Sequence, residues 1–119
     1  PCFMKNYWVY IITNKNRKVY YTGFTNDIER RILEHKASVG SRFSSQNNCT
    51  VLLYIDKYCA AHQAIQREKN IKNWKRSWKE DLIRSANPEF KDLALDWYSV
   101  EEIKGMQFEM FVDMVSSPA

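Results

Sequence analysis

Apolar positions along this chain follow two rhythms, and the order in which they alternate predicts the fold. Residues 7–12, YWVYII, form an aromatic and β-branched run that reads as a strand. Asn14-Lys15-Asn16-Arg17 supplies turn chemistry and Val19-Tyr20-Tyr21-Thr22 a returning strand, so the two pair as an antiparallel hairpin. On a period of two, Tyr10 shares a face with Trp8 and Ile12, and Tyr21 shares one with Val19 and Gly23. Gly23 ends the strand, where it turns the chain and lets backbone lie close to a ligand. From Asn26 the rhythm becomes helical: Ile28, Arg31, Ile32 and His35 fall at i, i+3, i+4 and i+7, with Asn26 and Glu29 as a capping box.

Residues 37–48 are small and polar and read as a loop, and residues 51–55, VLLYI, as a buried third strand. A helix over 60–73 carries the stripe Ala61, Ala64, Ile65 and Ile71. Ser77 and Glu80 form an S-x-x-E box that starts another helix, with Trp78, Leu82 and Ile83 inward, and Asn87-Pro88 ends it. Ser99 and Glu102 repeat the box ahead of a last helix over 100–115, with Ile103, Met106 and Met110 along one side and Gly105 as its weak point. The predicted order is β-β-α-β-α-α plus a C-terminal helix. This is an α+β fold, a small three-stranded antiparallel or mixed sheet flanked by helices.

The rhythm breaks at three places. Arg31 and His35 lie on a helix face that should bury hydrocarbon, and Glu68 falls inside the next stripe, at i+4 from Ala64. A charge removed from water costs several kcal/mol unless it is paired. Arg31 and His35 therefore require partners inside the protein or on a bound anion, and Glu68 requires Arg31, a lysine or a metal ion. Arg30 and Glu34, one turn apart on the other face, read as a solvated pair. Lys69, Lys72, Lys75, Arg76 and Lys79 cluster around Trp74, either as a phosphate-contacting surface with an indole to stack on a base or as a solvated face. Arg42, with the hydroxyls of Ser41, Ser44 and Ser45, is a further candidate for the phosphate backbone.

Composition narrows the classes. The 119 residues suit one domain, and a net charge of +4 with a pI near 9.0 favours a polyanionic partner without proving one. Cys2, Cys49 and Cys59 are odd in number and scattered, which predicts neither a disulfide framework nor a zinc site. No apolar run approaches the roughly 20 residues of a membrane span. A cytoplasmic, reducing location is expected, with no membrane partner.

Tyr21-Thr22-Gly23, followed by Phe24-Thr25, then Asp27-Ile28-Glu29-Arg30-Arg31-Ile32 and His35, resembles the second motif and first helix of the GIY-YIG nuclease family, most closely its small bacterial standalone members. Trp8-Val9-Tyr10 stands where the first motif belongs, with Trp8 in place of its glycine. Arg67-Glu68-Lys69-x-Ile71-Lys72 is similar to the helix that carries the family's single metal-binding glutamate. Asn87 lies near the family's site-ordering asparagine, although in several branches that asparagine follows the proline, where this chain has Lys91. The resemblance ends near Leu93, so residues 1–95 are expected to form the nuclease domain and 96–119 a helical extension.

What it implies is an endonuclease hydrolysing DNA, in repair, recombination or processing of structured DNA, with RNA left open and either a monomer or a homodimer. Tyr10, Tyr21, Arg31, His35 and Glu68 would be catalytic, Gly23 and Asn87 would order the site, and Glu68 would hold one Mg²⁺ or Mn²⁺ ion. Arg31 would hold the phosphate, and a tyrosine would activate water with His35 taking its proton. Which tyrosine does so stays open, with Tyr10 favoured. Two other classes compete: a nucleic-acid-binding module that cuts little or nothing, and a protein-interaction domain using the C-terminal helix.

Overall fold

The structure is a computed structural model that describes residues 5–39 and 42–116. The first two runs form the expected hairpin, β1 (Tyr7–Thr13) with β2 (Tyr20–Thr25), and β3 (Val51–Tyr58) pairs with the other side of β1. Both pairings are antiparallel, so the sheet order is β2-β1-β3 with the most apolar strand in the centre. Val9, Ile11 and Leu53 pack on one face with Ala64, Ile71 and Ile83, while Tyr10, Ile12 and Leu52 pack on the other with Ile28, Ile32 and Ala94. Helices α3 (Ala61–Lys72) and α4 (Arg76–Ala86) thus cover the first face, and α1 (Ile28–Lys36) covers the second. The last helix, α5 (Val100–Ser116), lies against α1.

The register of β1 on β3 slips between Ile11, opposite Tyr54, and Ile12, opposite Leu52, so Leu53 is an extra residue in the ladder. Its carbonyl accepts from the Asn87 side chain at 3.1 Å. Asn87 also donates to the Lys91 carbonyl at 2.8 Å and accepts from the Lys91 amide at 3.1 Å, which folds the chain sharply after α4. The following Asp92 accepts from the amides of Leu52 and Ala94 and pairs with Lys36 of α1 at 2.6 Å.

Several local expectations are corrected. Gly23 lies inside β2 rather than at its end, and the α1 cap is Asp27, whose carboxylate accepts from the Arg30 amide at 3.2 Å, rather than Asn26. The polar stretch read as a loop contains a short helix, α2 (Arg42–Gln46). Ile65 and Trp78 are exposed at 38% and 52% instead of facing inward. Helix α4 begins at Arg76 with Lys75 as an uncapped N-cap, which places Ser77 inside the helix, and Glu80 instead accepts from the Tyr20 hydroxyl at 2.8 Å and pairs with Arg76. By contrast the Ser99–Glu102 box forms in both directions, each bond 3.1 Å, and α5 runs on through Gly105. Cys59 is disulfide-bonded, which the scatter of cysteines did not predict, and Cys49 is a buried free thiol.

Trp8, at the position of the first-motif glycine, lines a cleft of about 440 Å³ with Ile28, Ile55, Trp97 and Tyr98. The bulky indole therefore forms one wall of an open cleft beside Trp97 and Tyr98. Among the described residues no helix is long and apolar enough to cross a membrane.

Candidate active site

Antiparallel register decides which residues meet. Tyr10 stands opposite Gly23 and Ile12 opposite Tyr21, so both phenols project from the same face, with ring centroids 6.3 Å apart. The Tyr10 ring lies directly against Gly23. A methyl group there would sit 2.8 Å from Cε2 and closer still to Cζ and Oη, inside any tolerable contact. Gly23 is thus required for close approach, and what approaches is the ring of Tyr10.

Helix α1 brings its two inward polar residues to the same phenol. The Tyr10 hydroxyl is 2.8 Å from His35 Nε2 and accepts from Arg31 Nε at 3.4 Å. Tyr10 is fully buried and His35 is 1% exposed. Burial pushes the phenol well above the usual tyrosine range, with the Arg31 hydrogen bond working in the opposite direction. Burial first, and the neighbouring Arg31 charge second, lower His35 to about 4, so the imidazole is neutral at pH 7. Its other nitrogen, Nδ1, lies 2.8 Å from the Ser44 hydroxyl on α2. Arg31 keeps a partly exposed side chain, and its Nη1 donates to Glu34 at 3.1 Å. Glu34 also faces Arg30 at 3.7 Å and so bridges both arginines.

Helix α3 supplies the carboxylate. Glu68 acts on the Tyr10 phenol through its charge, and Lys72, one turn on, lies 5.9 Å above the Tyr21 ring. Glu68 and Lys72 pair at 3.1 Å, with the acid 19% and the lysine 48% exposed. The expected ion partner is therefore a lysine. Among the described residues no group of three or more His, Cys, Asp or Glu side chains is arranged for a metal. One partly exposed carboxylate with a half-exposed lysine partner still fits Mg²⁺ or Mn²⁺, hard cations that take one or two protein oxygens and fill the remaining positions with water and phosphate.

The candidate nucleic-acid surface divides. Lys69, Lys72 and Lys75 are exposed, and Lys79 is half-buried. Arg76 is committed elsewhere: it donates to the carbonyls of Arg17 and Lys18 and covers the Tyr20 ring at 4.3 Å. Trp74 packs on the core under Arg67, whose guanidinium is 5.1 Å from its ring, so the exposed indole is that of Trp78. The Arg42 side chain lies outside the described residues. Asn87 spends its bonds on Leu53 and Lys91, away from the phenols.

Sequence reasoning missed Glu34 as the partner of Arg31, and it missed the role of α2. There Ser44 is 1% exposed on His35 and Phe43 stacks on Tyr21 at 6.0 Å. For Glu34 a signal existed, since it is i+3 from Arg31 as well as i+4 from Arg30. For α2 there was none in the periodicity.

The chain is similar to known proteins over most of the span that holds these residues. The chain is 32% identical over 80 residues to a UPF0213 protein of Staphylococcus haemolyticus, covering 67% of this chain and 96% of that one. It is 31% identical over 78 residues to a UPF0213 protein of Natronomonas pharaonis, covering 66% and 91%. The solution NMR structure of a UPF0213 protein from Bacillus halodurans matches with 26% identity and a TM-score of 0.49, covering 76% of this chain and 97% of that one. The GIY-YIG catalytic domain matches residues 6–81, a span that contains both tyrosines, both helices of the site and the glutamate, and the chain belongs to that family.

Proposed function

We propose that this protein is a metal-dependent endonuclease that hydrolyses DNA phosphodiester bonds, in repair, recombination or the processing of structured DNA. Residues 1–95 would be the nuclease domain and 96–119 its extension. The observation that carries the reading is the meeting of Tyr10, Arg31 and His35 at one phenol oxygen, beside Tyr21 and within reach of the Glu68 charge.

Arg31 binds the scissile phosphate through its exposed Nη groups, exchanging Glu34 for a doubly charged-assisted contact. Tyr10 takes a proton from the attacking water as it hands its own to His35 Nε2. A standing phenolate is disfavoured by burial, so the two transfers occur together. Tyr21, partly exposed above Tyr10, orients the phosphate and water. When bound at Glu68, a single Mg²⁺ or Mn²⁺ ion would polarise the phosphate and stabilise the leaving oxygen. Lys72 neutralises Glu68 in the meantime and is free to turn to DNA.

The test is cleavage of supercoiled and branched DNA with Mg²⁺ or Mn²⁺. Wild type is expected to nick, and Glu68→Ala to lose at least about 100-fold, as when one electrostatic stabiliser is removed. Equal cleavage by both would remove Glu68 from the mechanism. The complete burial of Tyr10 favours one other reading, a DNA-binding module that cuts little. Its signature is a salt-sensitive gel shift unchanged by EDTA, with no nicking.

A further inference from the structure

We infer that the Ser44 hydroxyl accepts the Nδ1 hydrogen of His35, so completing the tautomer that leaves Nε2 bare toward Tyr10, and is thereby a positioning residue for proton transfer. The inference deepens the nuclease reading, and its test has a readout that does not depend on activity.

The argument counts donors. The Tyr10 phenol has one proton, and its oxygen meets Arg31 Nε at 3.4 Å and His35 Nε2 at 2.8 Å. Arginine has no acceptor, so only Nε2 can receive the phenol proton. If Nε2 carried a hydrogen, both neighbours would donate to the phenol oxygen. The proton of this fully buried tyrosine would then have no acceptor among the described residues, a loss of roughly 1–3 kcal/mol. With Nε2 bare, a neutral imidazole must carry its hydrogen on Nδ1, and the group 2.8 Å from Nδ1 is the Ser44 hydroxyl. Ser44 is itself 1% exposed, so bulk water does not take its place.

During reaction the water proton passes to the Tyr10 oxygen and the phenol proton to Nε2, while the water oxygen bonds to phosphorus and the bond to the leaving oxygen breaks. The leaving oxygen takes a proton from solvent. The imidazolium then has one N–H on Tyr10 and one on Ser44, and it returns its extra proton to solvent through Tyr10.

The experiment is a long-range ¹H–¹⁵N spectrum of the ¹⁵N-labelled protein, which distinguishes the tautomers directly. His35 and His62 are the chain's two histidines, and His62 is exposed, so assignment is simple. Wild-type His35 is expected as the Nδ1–H form. Ser44→Ala should shift it to the other form or a mixture and slow cleavage by about 10- to 100-fold, as when groups orienting metal-bound imidazoles are removed. Ser44→Thr, which keeps the hydroxyl, should restore both. A wild-type Nε2–H imidazole, or an unchanged tautomer in Ser44→Ala, overturns the inference. Should Ser44→Ala fail to fold, the wild-type spectrum decides alone. The expected tautomers in a protein that nicks no DNA would uphold Ser44 and overturn the nuclease reading.

Discussion

Gly23 and His35 owe their identities to what they touch. An alanine at 23 must push the Tyr10 ring away, and the ring is wedged in the core, so Gly23→Ala is expected to cost about 1–3 kcal/mol by overpacking. Urea denaturation would measure that loss. DNA nicking should fall more steeply than the fraction folded, because the phenol leaves His35. His35 has a pH signature. Its folded value, about 4, lies below the unfolded value near 6.5, so the unfolded chain binds the proton first. The stability present above about pH 6.5 is therefore lost as pH falls toward 4, on the order of 3 kcal/mol in all. His35→Gln should flatten that part of the curve relative to wild type, and a thermal melt series across the range would record the difference. Helical spacing made Arg31 and His35 legible as misplaced polar groups. It said nothing of Tyr10 resting on Gly23, because that contact depends on strand register. Nor did it point to this place for Ser44, whose hydroxyl was expected on a phosphate backbone and is instead buried against His35.

Single carboxylates join the secondary elements at the back of the site. Asp92 ties the β3 amide of Leu52, the amide of Ala94 and the Lys36 ammonium into one junction, with Lys36 also donating to the Thr50 carbonyl at 3.0 Å. Both charged groups are mostly shielded, so removing one strands the other. Asp92→Ala is expected to cost about 3 kcal/mol, whereas Asp81→Ala, which breaks an exposed pair with Arg84, should cost about 0–1 kcal/mol. Chemical denaturation of the two variants side by side tests the contrast. The same competition for partners explains which elements were legible. The Ser99–Glu102 box forms in both directions, while at Ser77–Glu80 the helix starts too early for Ser77 to cap it and Glu80 goes to Tyr20 and Arg76. Among the described residues, the three strands and four of the five helices follow the periodicity, whereas α2, five residues long, is too short to show one.

Over the whole molecule, 18 basic residues against 14 acidic ones matter less than where the accessible ones lie. Lys69, Lys72, Lys75 and Lys79 follow α3 into α4 beside Glu68, and about four phosphate contacts there predict a slope of log affinity on log salt near −3.6. DNA affinity should then fall roughly 100-fold between 50 and 200 mM salt, and fluorescence anisotropy would read it. Replacing Lys75 should lower the slope by about one, while replacing Arg76, which faces the hairpin turn, should leave it nearly unchanged. That last arginine bears on the order in which the chain takes shape. It donates to two turn carbonyls 58 and 59 positions earlier, next to Arg17, whose backbone is held at φ 56°. As the polypeptide leaves the ribosome, those carbonyls stay with water until α4 has been synthesised and docked. The tip of the first hairpin, which Asn14 folds locally by accepting from the amides of Arg17 and Lys18, thus gains its outer anchor only then, and a nascent chain stopped short of residue 76 would lack it.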